Sequence, residues 1–374
     1  MRQSFIFLIS IFTLLFIFGD KAISNHIPTA NNVQLAILLD TSNSMDGLIE
    51  QTKTQLWKIV NEMARSKRDG KPINLQVALY EYGNDGLSAD EGFVRLITPL
   101  TTDLDKISEE LFKLRTNGGS EYCGTVISKA IMDLKWMKNT EEYKVIFIAG
   151  NEPFSQGKID YKTACKEAIS KGIIINTIYC GSYEEGVQTS WKDGADLADG
   201  SYINIDHNQQ VVHIETPFDD NLVQLGQKLN ETYIAYGYEG KEMKKRQEDQ
   251  DENASNLAPS VMVERSITKG SGQYKNESWD LVDANKDGSV DLKEIPEEQL
   301  PKEMQSMNVE ERKAYVNQKA KEREKIQNEI NKLDQQRREY ITKKISEKPE
   351  DNTLDAAMLQ IIRDQASNKN YKFE

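Results

Sequence analysis

From Val33 to about Tyr233 short apolar runs alternate with amphipathic stretches. The runs predict strands at Val33–Leu39, Asn74–Tyr82, Phe93–Leu100, Lys144–Ala149, Ile173–Tyr179 and Ser201–Ile205. The first, fourth and fifth of these (VQLAILL, KVIFIA, IIINTIY) are almost continuously apolar, as strands are when a parallel sheet is covered on both faces. Apolar residues three and four apart predict helices between them, at Leu48–Arg65, Leu104–Leu114, Gly124–Met137, Tyr161–Lys171 and Asn221–Tyr233. Strands alternating with helices read as βαβ units. The expected fold is α/β: a doubly wound, mainly parallel six-stranded sheet with helices on both faces, over residues 30–236.

The pattern then changes. Residues 237–275 are rich in Lys, Glu, Asp, Gln, Asn, Ser and Gly, with one apolar island at Leu257–Val263, and read as a polar linker. Residues 276–374 read as an all-α region. It is dominated by a long charged helix from Met304 to about Lys348, on which Tyr315, Ala320, Ile326, Ile330, Leu333, Tyr340 and Ile345 form a sparse stripe. That stripe suits a helical hairpin arm or a short coiled coil through which copies could oligomerise, and equally a solvated single helix. Pro349 ends it, and Leu354–Ala366 predicts a last short helix folding back along it.

At the other end, Arg2, the apolar run Phe5–Phe18 and the small residues Ala22 and Ser24 have the layout of a cleavable secretory signal over residues 1–24. The run is short of the ~20 residues a membrane span needs, and no later stretch is apolar enough to cross a bilayer. An uncleaved anchor is the alternative. The expectation is an exported protein, periplasmic, secreted or on a cell surface. A net charge of −13 over 374 residues argues against nucleic acid as the main partner. It is compatible with divalent cations and equally with a solvated acidic surface. The three cysteines are Cys123, Cys165 and Cys180. Cys165 falls early in a predicted helix and Cys180 at the end of the antiparallel strand after it, so a Cys165–Cys180 disulfide is one expectation and buried free thiols the other.

The stretch richest in chemistry is AILLDTSNSM, Ala36 to Met45. Asp40, Ser42 and Ser44 follow a buried strand and precede a helix. In a parallel sheet, ligands bind beyond the carboxyl ends of the strands. An Asp and two hydroxyls at alternate positions offer hard oxygen donors of the kind Mg²⁺ takes while keeping several waters. The alternative is that Asp40 and the serines only cap the following helix. The segment DTSNS resembles the D-x-S-x-S signature of the metal-ion-dependent adhesion site in von Willebrand factor A domains, and the six-strand alternation over Val33–Tyr233 is similar to that family too. The resemblance implies that Ser42 and Ser44 coordinate Mg²⁺ or another divalent cation directly, with Asp40 acting mainly through water. A protein partner's acidic side chain would complete the shell. The family pattern also asks for a Thr in a later loop, where Asn117–Ser120 makes Ser120 the candidate. It asks for an Asp after the fourth strand, where this chain has Ala149, Gly150 and Asn151, followed by Glu152.

A second loop has metal-ligand spacing. Asp283, Asn285, Asp287, Ser289, Asp291 and Glu294 fall at positions 1, 3, 5, 7, 9 and 12 of an EF-hand loop, with Gly288 at the turn and Val290 at the apolar position. Pro296 interrupts the exiting helix and no second loop pairs with it, so it resembles a lone dockerin-type calcium loop; Ca²⁺ is the expected ligand. An acidic turn between helices is the alternative. Catalysis has no support. No nucleophile elbow, phosphate loop or H-E-x-x-H is present, and Cys123 with His207 is a pairing that no spacing selects. The expected function is therefore partner capture through the adhesion-site cation, with a metal-independent scaffold or assembly role as the alternative.

Overall fold

The structure, a computed structural model, describes residues 31–205, 214–347 and 354–373, with the backbone alone at 354–358. The secretory-signal segment and His26, His207 and His213 lie outside the described residues. The strands are β1 (Asn32–Asp40), β2 (Ser66–Arg68), β3 (Lys71–Pro72), β4 (Asn74–Tyr82), β5 (Val94–Thr101), β6 (Tyr143–Gly150), β7 (Ile173–Cys180), β8 (Tyr202–Ile205) and β9 (Tyr371–Phe373). The helices of the first half are α1 (Ile49–Ala64), α2 (Leu104–Lys113), α3 (Cys123–Asp133), α4 (Tyr161–Ser170), α5 (Tyr183–Gln188) and α6 (Trp191–Asp196). Those of the second half are α7 (Asp219–Asn230), α8 (Gly240–Leu257), α9 (Pro259–Gly270), α10 (Leu281–Asp287), α11 (Lys302–Gln305), α12 (Val309–Glu347) and α13 (Leu354–Ser367).

The main sheet has six strands in the order β5-β4-β1-β6-β7-β8. All neighbours run parallel except edge strand β5, which is antiparallel to β4 with register shifts between Val77 and Tyr80. Period-two alternation sorts the strand residues. Val33, Leu35, Ile37 and Leu39 of β1 face α1 and α2, whereas Ala36 and Leu38 face α3, α4 and α6. Both faces are covered, which is why β1 and β6 show no polar alternation. Going from β1 the chain moves to one side, to β4, while β6 adds on the other. The carboxyl ends of β1 and β6 therefore flank the switch point of the sheet, where ligands bind in such folds.

Residues 237–275 do not form a linker. They hold α8 and α9, with Pro259 ending the first and opening the second, where its missing N–H costs nothing. Helix α9 is buried from Val261 to Gly270. The buried face of the pair is polar: Arg265 bonds Asp105 of α2 at 2.9 Å and Asp251 of α8 at 2.5 Å, and Lys269 bonds Asp251 at 2.6 Å. Ser108 of α2 donates to Gln250 at 3.1 Å. A search for apolar periodicity underrates helices that bury such ion pairs alongside apolar residues like Val263 and Ile267.

The long charged helix α12 is neither a free arm nor a coiled-coil seam. Its stripe is used within the chain: Ile330 packs among Leu222, Leu225, Leu229, Val263 and Ile267, and Val316 among Leu281, Val282 and Leu292. Arg337 bonds Asp219 and Glu264, each at 3.0 Å, and Asp334 bonds Arg65 of α1 at 3.1 Å. Helix α7 follows the last sheet strand, but it packs on α9 and α12 instead of on the sheet.

The sheet face beside α1 is covered by α13 instead. Ile362 and Ala366 join the main core, and Gln365 exchanges bonds with Asn176 of β7, at 2.7 and 3.0 Å. Strand β9 then pairs antiparallel with β2, in the three-stranded order β3-β2-β9. Buried Tyr371 donates to the Asn32 carbonyl at 2.8 Å.

All three cysteines are free and buried. Cys165 points into the layer with α3 and α6, while Cys180 lies on the opposite sheet face, its Sγ 3.4 Å from Thr52 of α1. The expected Cys165–Cys180 bridge is thus blocked by the sheet itself.

Candidate metal centre

Strand β1 ends at Asp40, and the Thr41 N–H still bonds the Tyr82 carbonyl at 3.0 Å, so β4 fixes where the loop leaves the sheet. The Ser42 N–H turns back onto Asp40 Oδ1 at 2.8 Å, an Asx turn that reverses the chain directly after the strand. Residues Asn43–Met45 form a single 3-10 turn. The Ser42 and Ser44 hydroxyls end 2.7 Å apart. From β6, Asn151 clamps Ser44 reciprocally: its Oδ1 lies 2.9 Å from Ser44 Oγ, and its Nδ2 donates to the Ser44 carbonyl at 2.9 Å. Asp40, Ser42 and Ser44 are therefore brought together as expected.

Ser120 is not drawn in. No hydrogen bond links it to the cluster among the described residues, whereas its neighbour Glu121 lies there, buried, with Oε1 3.3 Å from Ser44 Oγ. The Glu152 N–H holds its other oxygen at 3.2 Å, and the Gln156 carboxamide fixes the Glu121 N–H at 3.1 Å. Sequence reasoning passed over Glu121 because it sits one residue beyond the expected position. The only available sign was a carboxylate between a Gly-Gly turn and a helix start.

Asp40 is wholly buried, and among the described residues no donor reaches its Oδ2. Burial, and then the facing Glu121 carboxylate, hold its carboxyl well above the usual range. Burial also raises Glu121. Two facing carboxylates in a desolvated site cannot both keep their charge unless a cation or proton lies between them. Among the described residues no group of three or more His, Cys, Asp and Glu is arranged to hold a metal. The donors here are two carboxylates, two hydroxyls and a carboxamide oxygen, an all-oxygen set. With the orphaned Asp40 Oδ2, that set fits a hard divalent cation.

Residues 34–193 match the family model described as von Willebrand factor type A domain. This segment resembles von Willebrand factor type A domains. The chain is similar in structure to the VWA domain of SpRpn10, with 17% identity and a TM-score of 0.37 over 48% of this chain and 90% of that one. It is also similar to BatB from Bacteroides thetaiotaomicron (17% identity, TM-score 0.36, 46% and 90% covered). A third is mussel byssus proximal thread matrix protein 1 with a zinc-occupied MIDAS motif (13% identity, TM-score 0.36, 48% and 43% covered). No curated protein matches the chain.

Within this segment, Gly150 has a steric cause. A Cβ there would lie 2.5 Å from the Tyr82 hydroxyl and 3.1 Å from both Asp40 Cβ and the Trp191 ring. The Tyr82 hydroxyl is pinned by its 3.0 Å bond to the Ala149 carbonyl, so an Asp at 150 has no room. Cys123, beside this tyrosine, is a buried helix-start residue whose thiol is pushed well up by burial.

The calcium-type loop does not assemble. Asp283, Asn285 and Asp287 lie along α10, which begins only at Leu281 and is capped by Asp280, so no helix enters the loop. Arg323 of α12 bonds Asp283 Oδ1 at 2.7 Å, and the Asn276 N–H takes its other oxygen at 2.9 Å. The Ser289 N–H and hydroxyl both turn to the Ala284 carbonyl. Asp291 caps the Lys293 N–H at 3.0 Å, and Asp287, Asp291 and Glu294 are exposed. These residues do not fit a Ca²⁺ ion: the positive charge that Asp283 needs comes from a guanidinium. An open groove of about 400 Å³ alongside is lined by Asn285, Val290, Asp291, Leu292, Lys313 and Asn317, so its lining carries one carboxylate and one ammonium.

Proposed function

We propose that this chain is a binding module that captures a protein partner through a divalent cation held at Asp40, Ser42 and Ser44. The observation that carries this reading is the buried, unpartnered Oδ2 of Asp40, set against a second carboxylate at the switch point of the sheet. The two hydroxyls and Asp40 would hold Mg²⁺ or a similar ion, and the bound cation would supply an electrophilic position open to a partner's oxygen. The chain's own part is orientation. Strand β1 fixes Asp40, the Asx turn aims Ser42, and Asn151 holds Ser44 in place.

Binding is favoured over catalysis because Cys123, the thiol beside the site, is buried and held in its neutral form. A metal-free scaffold using α12 for docking is the weaker reading, since that helix spends its apolar stripe on its own chain. An exported location remains part of the proposal. It rests on the Phe5–Phe18 run and the small residues after it, and N-terminal sequencing of the mature protein tests it. No helix among the described residues is long and apolar enough to cross a membrane.

The test is capture of a partner by the immobilised full chain in Mg²⁺, in chelator, and as Asp40→Asn in Mg²⁺. A partner retained in the first condition and lost in the other two is the expected result. A partner retained equally in all three would sink the metal-dependent reading and favour the scaffold.

A further inference from the structure

We propose that Glu121 is a ligand of the adhesion-site cation, supplying from the loop before α3 the carboxylate that Gly150 cannot carry. The inference rests on the metal-binding reading above and concerns which side chain completes the site. Three independent observations lead to it.

First, Glu121 is buried although nothing in its surroundings neutralises it. Its oxygens meet a serine hydroxyl and a backbone N–H, and no Lys or Arg is paired with it among the described residues. Buried acids away from this site are treated differently: Glu81 has Arg95, Glu62 has Arg65 and Arg363, and Asp105 has Arg265. A buried carboxylate is a costly group unless a cation or a proton shares its charge, and here, among the described residues, no side-chain cation does.

Second, the unpartnered Oδ2 of Asp40 and the Glu121 carboxylate face one another across the same space. Gly83 closes that space: at φ +78°, a Cβ on it would fall 2.5 Å from Asp40 Oδ1 and 2.8 Å from Glu121 Cγ. Main chain without a side chain is thus required beside both acids, and the two are held close by packing.

Third, Ser44 Oγ is shared between Asn151 Oδ1 and Glu121 Oε1, at 2.9 and 3.3 Å. The hydroxyl has one hydrogen and two acceptors, so a cation drawing on its lone pairs and on both acceptors would satisfy all three oxygens together.

The relocation also accounts for the crowding around Gly150. With the carboxylate moved to residue 121, the space beyond β6 is free for the Tyr82 hydroxyl, which ties β4 to β6.

The experiment is calorimetric titration of the metal-stripped full chain with Mg²⁺ and with Mn²⁺, paired with paramagnetic resonance of bound Mn²⁺. Wild type, Asp40→Asn, Glu121→Gln and Ser120→Ala are compared. Wild type is expected to bind one ion, and Asp40→Asn to lose it. Glu121→Gln should weaken binding at least about tenfold, since loss even of a group that only orients a ligand costs 10- to 100-fold, and should change the Mn²⁺ spectrum. Glutamine is nearly isosteric, and removing a like charge from a buried pair should leave the metal-free melting temperature unchanged or higher, which shows that the variant is folded. If Glu121→Gln binds as tightly as wild type while Asp40→Asn does not bind, the Glu121 assignment is overturned and the cation reading stands. A loss on Ser120→Ala with none on Glu121→Gln has the same meaning. A wild type that binds neither ion overturns both.

Discussion

Replacing Arg323 by methionine removes the cation from a buried cluster while keeping much of the side chain's length. In the wild type the guanidinium is 5% exposed and bonds Asp280, itself fully buried, and Asp283, both at 2.7 Å. It also reaches the Thr232 carbonyl at 2.8 Å and lies 4.0 Å above the Tyr233 ring. Methionine leaves two carboxylates buried with only N–H donors. Breaking a buried pair by removing one partner costs about 3–5 kcal/mol. For a cooperative unit of roughly 340 residues, at about 2.1 cal/mol/K per residue, the unfolding entropy is about 0.7 kcal/mol/K, so the melting temperature should fall by about 4–7 °C. Calorimetric and circular-dichroism melts, with urea titration for the free energy, read this directly. The sign with pH is fixed. Burial already raises the Asp283 carboxyl in the wild type, and without Arg323 it rises further. The folded variant then binds more protons than its unfolded chain, so its deficit is full at neutral pH and shrinks as pH falls through the carboxylate range. A loss below about 1 kcal/mol at neutral pH would show that water or another ion already neutralises the cluster, and the case against a calcium loop would fail with it. In the same melts, Ca²⁺ should give no stabilisation that Glu294→Gln removes.

Ending the chain at residue 347 should destabilise the six-stranded sheet itself, because Ile362, Ala366 and Tyr371 leave its core, each large side chain worth about 1.5–3 kcal/mol of burial. Lower melting temperature, dye binding to exposed apolar surface and faster proteolysis are expected, and an unchanged melt would mean the segment merely rests on the surface. The thiols should stay silent to a thiol reagent in the native state and report three per chain after unfolding, since all are buried and burial pushes Cys165 and Cys180 up to about 12. Recovery of an oxidised Cys165–Cys180 pair from native protein would contradict their placement on opposite faces of the sheet.

The sheet was legible because β1, β6 and β7 are almost continuously apolar and their helices carry apolar faces; observed ends differ from expected ones by a residue or so. The Asp40–Ser44 loop was legible for the same reason, as a polar string directly after a buried strand. What escaped was settled by partners far away in sequence. Helices α8 and α9 bury Gln247, Arg265 and Lys269, which local pattern counts as exposed. The loop at Asp283–Glu294 has the spacing of a calcium site, yet Arg323, 40 residues on, decides the fate of its first carboxylate. Glu121 becomes meaningful only once the fold brings it to Ser44, 77 residues earlier. Cys180 sits on the wrong face for Cys165 because strand parity shows that a residue changes sides at each step, but not which side a helix will cover.

The docking of Tyr371 onto the carbonyl of Asn32 joins residues 339 positions apart. At about 5–20 residues per second of synthesis, a ribosome needs roughly 20–70 s to get from one to the other. Through that interval β1, β6 and β7 can pair while one flank of their sheet stays open to water. Closure of so long a loop is entropically late, which places the final collapse among slow, high-contact-order events. A product broken off before its last helix would keep that apolar flank exposed, marking it for chaperones or proteases. Burial of that sheet face thus waits on a residue 339 positions downstream of the strand it docks against.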